Sequence, residues 1–121
     1  MNLSEAIRLG AMLRDKADGF FFMDGKTCAA GAALEACGSD IGIGADKHGA
    51  FRELWPWTIT TYAACPQCGR SDSVRNHIPH LNNSIKGGHN RTREQIADWI
   101  EGIEKQQAQP QETPAETLAS A

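Results

Sequence analysis

The sequence lacks any long hydrophobic run and any segment with the features of an export signal. Its densest apolar patch is residues 20–23, whereas a helix that spans a membrane needs roughly 20 apolar residues in succession. The first residues have neither the basic start nor the apolar stretch of a secretory signal peptide. We therefore expect a soluble protein of the cytoplasm with no membrane partner.

Only four cysteines occur in the chain, and they do not predict disulfides. Disulfides are rare in a reducing cytoplasm, so each cysteine is expected to bind a metal or to be buried as a small apolar side chain. Cys28 and Cys37 lie nine positions apart on one predicted helix, where they project in different directions. We assign both of them to burial.

The motif Cys65-Pro-Gln-Cys68-Gly69 is the sharpest signal in the chain. Its tight turn brings two thiolates to one point and supplies half of a tetrahedral zinc site. The alternative is a thioredoxin-like redox pair, in which the motif begins a helix after a strand, but the polar residues 70–73 do not fit such a helix. A chain of 121 residues has room for one domain with a small core, so we expect a structural zinc ion to help hold it together.

Histidine supplies the candidates for the remaining zinc ligands. His77 and His80 give the spacing C-x2-C-x8-H-x2-H, and His80 and His89 give C-x2-C-x11-H-x8-H. The first spacing is shorter in both gaps than that of a standard zinc finger. Pro79 predicts that this stretch is not helical. Both pairs stay open at this point.

No catalytic set is evident in the sequence, and we predict that the protein is not an enzyme. Residues 24–27, Asp-Gly-Lys-Thr, resemble the end of a phosphate-binding loop, but Phe20 stands where that loop requires glycine. A hydrolytic zinc site would need an open coordination position and a nearby glutamate. The nearest acid after the histidines, Glu94, is expected in the first turn of the last helix, where the helix dipole favours negative charge.

The spacing of apolar residues predicts a small α+β domain with about three helices. They are predicted to begin near Ser4, Thr27 and Thr92, and small residues dominate the second one. Thr92 and Gln95 have the spacing of a capping box, and an apolar stripe follows them at helical intervals. β-branched and aromatic residues predict a short sheet beside the zinc site. Its segments are 20–23, 57–63 and 74–79.

The chain is predicted to divide into a compact domain, residues 1–105, and a tail, residues 106–121. Gln, Pro, Glu, Thr and Ala dominate the tail without any periodicity. A segment of this composition has too little apolar surface to offset the entropy lost on folding. We therefore expect the tail to be disordered.

Charge is distributed unevenly along the chain. The net charge is −3, yet residues 65–93 carry five basic side chains against one aspartate. Such a segment beside a zinc site could contact the phosphates of a nucleic acid, although it has no aromatic residue for stacking on bases. Its basic residues are Arg70, Arg75, Lys86, Arg91 and Arg93.

Five motifs stand out along the chain: Asn2-Leu-Ser-Glu-Ala-Ile-Arg-Leu-Gly10, Thr27-Cys-Ala-Ala-Gly-Ala-Ala-Leu-Glu-Ala36, Cys65-Pro-Gln-Cys-Gly69, His80-Leu-Asn-Asn83 and Thr92-Arg-Glu-Gln-Ile-Ala-Asp-Trp99. Together they resemble a group of small bacteriophage and prophage proteins that has no assigned activity. In that group an aspartate stands at the position of Asn83, followed by a histidine and by a tryptophan at the position of Asn90. The resemblance implies His80 and His89, and not His77, as the histidines of the pattern.

The resemblance covers residues 2–104 and implies a phage-encoded protein in the cytoplasm of a host cell. Together with the zinc motif, it leads us to expect a non-catalytic zinc-binding protein that binds and modulates a host or phage protein. The alternative is an accessory or regulatory protein that binds nucleic acid through the basic residues of segment 65–93.

Overall fold

A computed structural model describes residues 1–19, 21–85 and 87–120, and of residues 108–120 it describes the backbone alone. Over these residues the chain forms an α+β domain, as predicted, with six helices and two small antiparallel sheets. The helices are α1 (Leu3–Ala11), α2 (Ala29–Ala36), α3 (Lys47–Leu54), α4 (Trp57–Thr60), α5 (Val74–Asn82) and α6 (Arg93–Ser120). The strands are β1 (Phe22–Met23) paired with β2 (Lys26–Thr27), and β3 (Tyr62–Ala64) paired with β4 (Ser71–Ser73).

The core lies where α1 packs on α2 and α6 packs across α1. Gly10 makes the first approach possible, because a Cβ there would lie 1.8 Å from the carbonyl oxygen of Ala32. The small residues of α2 predict such a close neighbour, and the structure confirms it. Ile96 and Ile100 of α6 are fully buried, which confirms the predicted apolar stripe.

Of the three capping residues predicted from the sequence, the structure confirms one and replaces two. Thr92 and Gln95 form the predicted capping box, with Gln95 N donating to Thr92 Oγ1 at 3.0 Å and Thr92 N donating to Gln95 Oε1 at 2.9 Å. Asn2 rather than Ser4 caps α1, accepting from Glu5 N. Ser4 lies inside the helix, and its hydroxyl and N–H both donate to the carboxylate of Glu104. Similarly, α2 is capped one residue after Thr27, by Cys28.

The first predicted strand is confirmed in its second half as a hairpin. β1 and β2 pair antiparallel around Asp24 and Gly25. Both turn residues have positive φ, 53° and 75°, which is the conformation of the tightest hairpin turns and one that Asp-Gly favours. Phe20 lies outside the described residues.

The prediction of a strand over 57–63 is wrong in its first half. Trp57–Thr60 is the short helix α4, and only Tyr62–Ala64 is extended. Pro56 precedes the helix with φ −61° and ψ −27°, so the proline itself adopts the helical backbone that starts the turn. The Thr58 hydroxyl then donates to the carbonyl of Trp55 at 2.8 Å.

The prediction of an extended segment over 74–79 is also wrong, because the residues form α5. Ser73 caps this helix by accepting a hydrogen bond from Asn76 N. Pro79 lies inside the helix at the cost of one backbone hydrogen bond. The full burial of Val74, Ile78 and Leu81 offsets that cost, since tertiary packing outweighs local propensity.

Within the part of the chain that the structure describes, no helix combines the length and the apolar character needed to cross a membrane. The expected boundary at residue 105 and the expected disorder of residues 106–121 both remain predictions. From residue 108 onward the side chains lie outside the described part of the chain, and residue 121 lies outside it altogether.

Candidate metal centre

Four side chains from three segments converge on one point at the edge of the domain. Cys65, Cys68, His80 and His89 each place one ligand atom within 4.8 Å of all the others. Cys68 Sγ lies 3.5 Å from His80 Nε2. In a tetrahedral zinc site with bonds of about 2.0–2.3 Å, the ligand atoms are about 3.3–3.8 Å apart. The four atoms therefore need to move by no more than small side-chain rotations to bind one ion.

The two cysteines are held in the turn of the β3–β4 hairpin. Ala64 pairs with Ser71 at the end of the ladder, and Cys65 N donates to the carbonyl of Arg70 at 2.8 Å. Gly69 N donates to the carbonyl of Cys65 at 3.0 Å. Gly69 has φ +78°, a conformation that glycine adopts without strain, so the motif needs glycine after its second cysteine.

The two histidines meet because the chain after α5 folds back along the end of that helix. His80 lies in the last turn of α5, and His89 N donates to its carbonyl at 3.0 Å. Arg91 N likewise donates to the carbonyl of Leu81 at 2.7 Å. Gly88 allows this return, since a Cβ there would lie 2.0 Å from the carbonyl oxygen of Asn83. The imidazole rings end up nearly perpendicular, with centroids 4.4 Å apart.

The local electrostatics favour the ligating forms of these side chains. Burial raises the pKa of Cys65, but the backbone N–H groups of Cys68 and Gln67 donate to its sulfur and leave the pKa below the ordinary cysteine value. Burial, followed by the charges of His89 and Arg70, lowers the pKa of His80. A thiolate and a neutral imidazole are the forms that bind zinc.

His89 carries a polar atom that the described residues leave without a partner. Its Nε2 is buried and makes no hydrogen bond. Buried polar atoms in native proteins nearly always have a partner, and an exception indicates a missing water, ion or ligand. A metal ion bound among the four ligand atoms would give this nitrogen a partner.

His77, the third histidine predicted as a candidate ligand, does not join the cluster. Its ring is buried between β3 and α6, where it lies edge-on to Trp99 with centroids 5.7 Å apart. His77 Nε2 lies 2.8 Å from the carbonyl of Ala63, and because a carbonyl can only accept, the proton is on Nε2. The histidine therefore anchors the strand that leads into the cysteine turn.

The other two cysteines also lie outside the cluster. Cys28 caps α2, accepting a hydrogen bond from Gly31 N at 3.4 Å, and burial raises the pKa of its thiol. Cys37 is the C-cap of the same helix. Both residues are only half-buried, beside the core, so their assignment to burial is met in part.

Asn82 and Asn83 fix the end of α5, the helix that carries His80, through contacts that the sequence alone does not reveal. The buried Asn82 side chain accepts from Ala29 N at 3.1 Å and donates to the carbonyl of Ala17 at 3.0 Å. Asn83 Oδ1 accepts from Gly19 N at 3.0 Å. These bonds fix the end of α5 to the start of α2 and to the loop before β1. The role of the two asparagines in the His80-Leu-Asn-Asn83 motif is therefore structural.

The four basic residues of segment 65–93 that the structure describes do not form one exposed patch. Arg93 is buried, and its guanidinium donates to the carbonyls of Ala11 and Arg14 and to Thr27 Oγ1. Arg70 pairs with Asp72. The guanidinium of Arg75 lies over the Phe51 ring, and Arg91 Nε donates to Gln67 Oε1. Lys86 lies outside the described residues.

No protein-family model, curated protein or solved structure matches this chain. The geometry of the cluster and the chemistry of its donors are therefore the basis of the functional interpretation.

Proposed function

We propose that this chain is a phage-encoded, non-catalytic binding protein whose domain is held together by one structural zinc ion. Cys65, Cys68, His80 and His89 would bind the ion. The observation that carries the proposal is the convergence of these four ligand atoms to within 4.8 Å of one another.

The donor set fits zinc by its chemistry. Two thiolates and two imidazoles in a compact arrangement are typical of structural zinc sites, whereas hard cations prefer carboxylate and carbonyl oxygens. The buried and unpartnered Nε2 of His89 supports a bound ion over a cluster of free side chains. The zinc would link the β3–β4 hairpin, the end of α5 and the loop that follows it.

The same donor set argues against a catalytic zinc. Hydrolytic zinc enzymes bind the ion through three protein ligands and keep the fourth position for water or substrate. Here four protein ligands would complete the tetrahedron. A domain with a closed zinc site and without any proposed catalytic group acts by binding, and the resemblance to phage proteins makes a host or phage protein the expected partner.

Nucleic-acid binding is the second candidate function, and the placement of the arginines weakens it. Arg93 has its guanidinium buried among backbone carbonyls, and Arg70 is paired with a carboxylate. Fewer cations are therefore free for phosphate contacts than the sequence suggests, and affinity for a polyanion depends on that number.

The zinc proposal is tested by elemental analysis of purified native protein and of two matched variants. We expect about one zinc per chain in the native protein and in Cys37→Ser, and a loss of zinc in Cys68→Ser. Both substitutions remove one sulfur from a residue outside the fully buried core. Equal zinc in the two variants, or native protein without zinc, would contradict the proposal.

A further inference from the structure

A large cleft opens on a part of the domain that does not include the four candidate metal ligands. Its volume is about 1480 Å³, above the roughly 300–1,000 Å³ of pockets that enclose a small molecule. The walls come from the β1–β2 hairpin, the loop before α3, α3 itself and α5. The size and the contribution of several elements indicate a groove for a chain segment.

Several of the apolar side chains that line this cleft are exposed to water. The lining of the cleft includes Ile78 and Pro79 of α5, together with Cys28 and Ala30 at the start of α2. Contiguous exposed apolar patches are uncommon on monomeric proteins and mark sites of association. The large apolar side chains that line the cleft and remain exposed are Phe22, Met23, Ile43 and Ile59.

Arg75 brings a half-buried positive charge into the same cleft. Its guanidinium lies 4.7 Å from the centroid of the Phe51 ring and 5.7 Å from that of Phe21. Its one side-chain hydrogen bond among the described residues joins it to His48 Nδ1 at 3.1 Å. None of the ion pairs among those residues includes Arg75, and burial lowers its pKa.

The rest of the cleft strengthens this positive character. Lys47 and Arg52 line it as well, against the single carboxylate of Asp24. A partly buried guanidinium is most strongly stabilised by a carboxylate that accepts two parallel hydrogen bonds. The complementary ligand therefore combines an apolar face with carboxylates.

We propose that this cleft binds an acidic amphipathic segment of a partner protein. Apolar side chains of the segment would lie on Phe22, Met23, Ile43 and Ile59, and one of its carboxylates would pair with Arg75. This is the arrangement in which a helix places its apolar face into a groove. The inference rests on the binding function proposed above and names the surface and the chemistry of the partner.

The test uses the zinc-loaded full chain and a displayed library of random peptides of about 16 residues, roughly 24 Å long as helices. We expect the selected peptides to be rich in Asp and Glu, with apolar residues at helical spacing. Arg75→Gln and Ile43→Ser should each weaken their binding at least tenfold. Leu13→Ser, at another exposed apolar position that lies outside the cleft, and Arg70→Gln should leave it unchanged.

Zinc content and melting temperature of every variant separate this inference from the metal proposal. Ile43 is fully exposed, so its substitution should not affect folding even if that of Arg75 does. Selected peptides that are basic or lack acidic residues, or that bind Ile43→Ser as well as they bind the native chain, would overturn the cleft assignment while leaving a binding function elsewhere. A failure to select any peptide would overturn the cleft assignment, while the zinc content of the native chain would still test the metal proposal.

Other occupants of the cleft give distinct results in the same preparation. Dimerisation that Ile43→Ser abolishes, measured by sedimentation, would assign the cleft to a second copy of this chain. Displacement of the selected peptides by an oligothymidylate at physiological salt would assign it to single-stranded nucleic acid. Either result would overturn the proposal of an acidic protein segment.

Discussion

Replacing Cys68 by serine tests the link between zinc and folding with little disturbance of packing. The Cys68 side chain is exposed, so the substitution removes a ligand without opening a cavity in the core. Structural zinc contributes about 10–16 kcal/mol to the folding of zinc-finger peptides. The whole stability of a small domain is about 5–15 kcal/mol. We therefore expect Cys68→Ser to be unfolded or marginally folded around the cluster at room temperature.

The magnitude can be measured in native protein by varying the free zinc concentration. Each tenfold increase in free zinc above the Kd adds about 1.4 kcal/mol to the free energy of unfolding. A folded unit of about 100 residues has an unfolding entropy near 0.2 kcal/mol/K, so that this step raises Tm by roughly 6 °C. Three such steps, set with zinc buffers, should raise Tm by roughly 20 °C.

The assay is thermal unfolding followed by circular dichroism at each buffered zinc concentration. Cys37→Ser serves as the control, because it removes a half-buried sulfur that lies outside the cluster, and it should keep the full zinc dependence. A Tm that does not change with free zinc, or that is equal with and without a chelator, would refute the link between metal and fold.

Three further predictions concern residues around the cluster. His77→Ala should keep zinc but lower the free energy of unfolding by about 1–3 kcal/mol, because it leaves the Ala63 carbonyl without its partner; denaturant unfolding measures this, and a loss of zinc would make His77 a ligand. Burial lowers the pKa of His80 in the folded chain below its ordinary 6.5. The free energy of unfolding should therefore be highest above pH 6.5 and fall as the pH drops below it, because the unfolded chain then binds a proton more readily than the folded chain; equal Tm values at pH 5 and pH 7.5 would contradict this. A gel-shift titration with DNA and RNA at two salt concentrations should find no binding at physiological salt; micromolar affinity that falls steeply with salt, and is lost on reversing the charges of Arg70 and Arg91, would favour the nucleic-acid alternative.

The sequence predicts the four converging side chains better than it predicts the fold around them. The cysteine pair and its following glycine form a local motif, so their geometry follows from the residues themselves. The choice between His77 and His89 depends on the return of the chain after α5, which requires Gly88 beside the carbonyl of Asn83. That long-range approach has no signal in the spacing of the histidines.

The errors in secondary structure have a common physical cause. Trp57–Thr60 and Val74–Asn82 both form helices although their composition or their proline disfavours one. In each case a start signal precedes the helix, Pro56 in one and Ser73 in the other. For α5, burial of the apolar face against the core then decides the conformation. Propensity is a weak predictor for such short segments.

X-ray absorption at the zinc edge of the native protein tests the central claim most directly. The account predicts two sulfur ligands at about 2.3 Å and two nitrogen ligands at about 2.0–2.1 Å, from Cys65, Cys68, His80 and His89. His89→Gln should lose the spectrum of this site, and His77→Ala should keep it. A native spectrum without sulfur ligands, with a third sulfur, or with a nitrogen signal that depends on His77 would contradict the account.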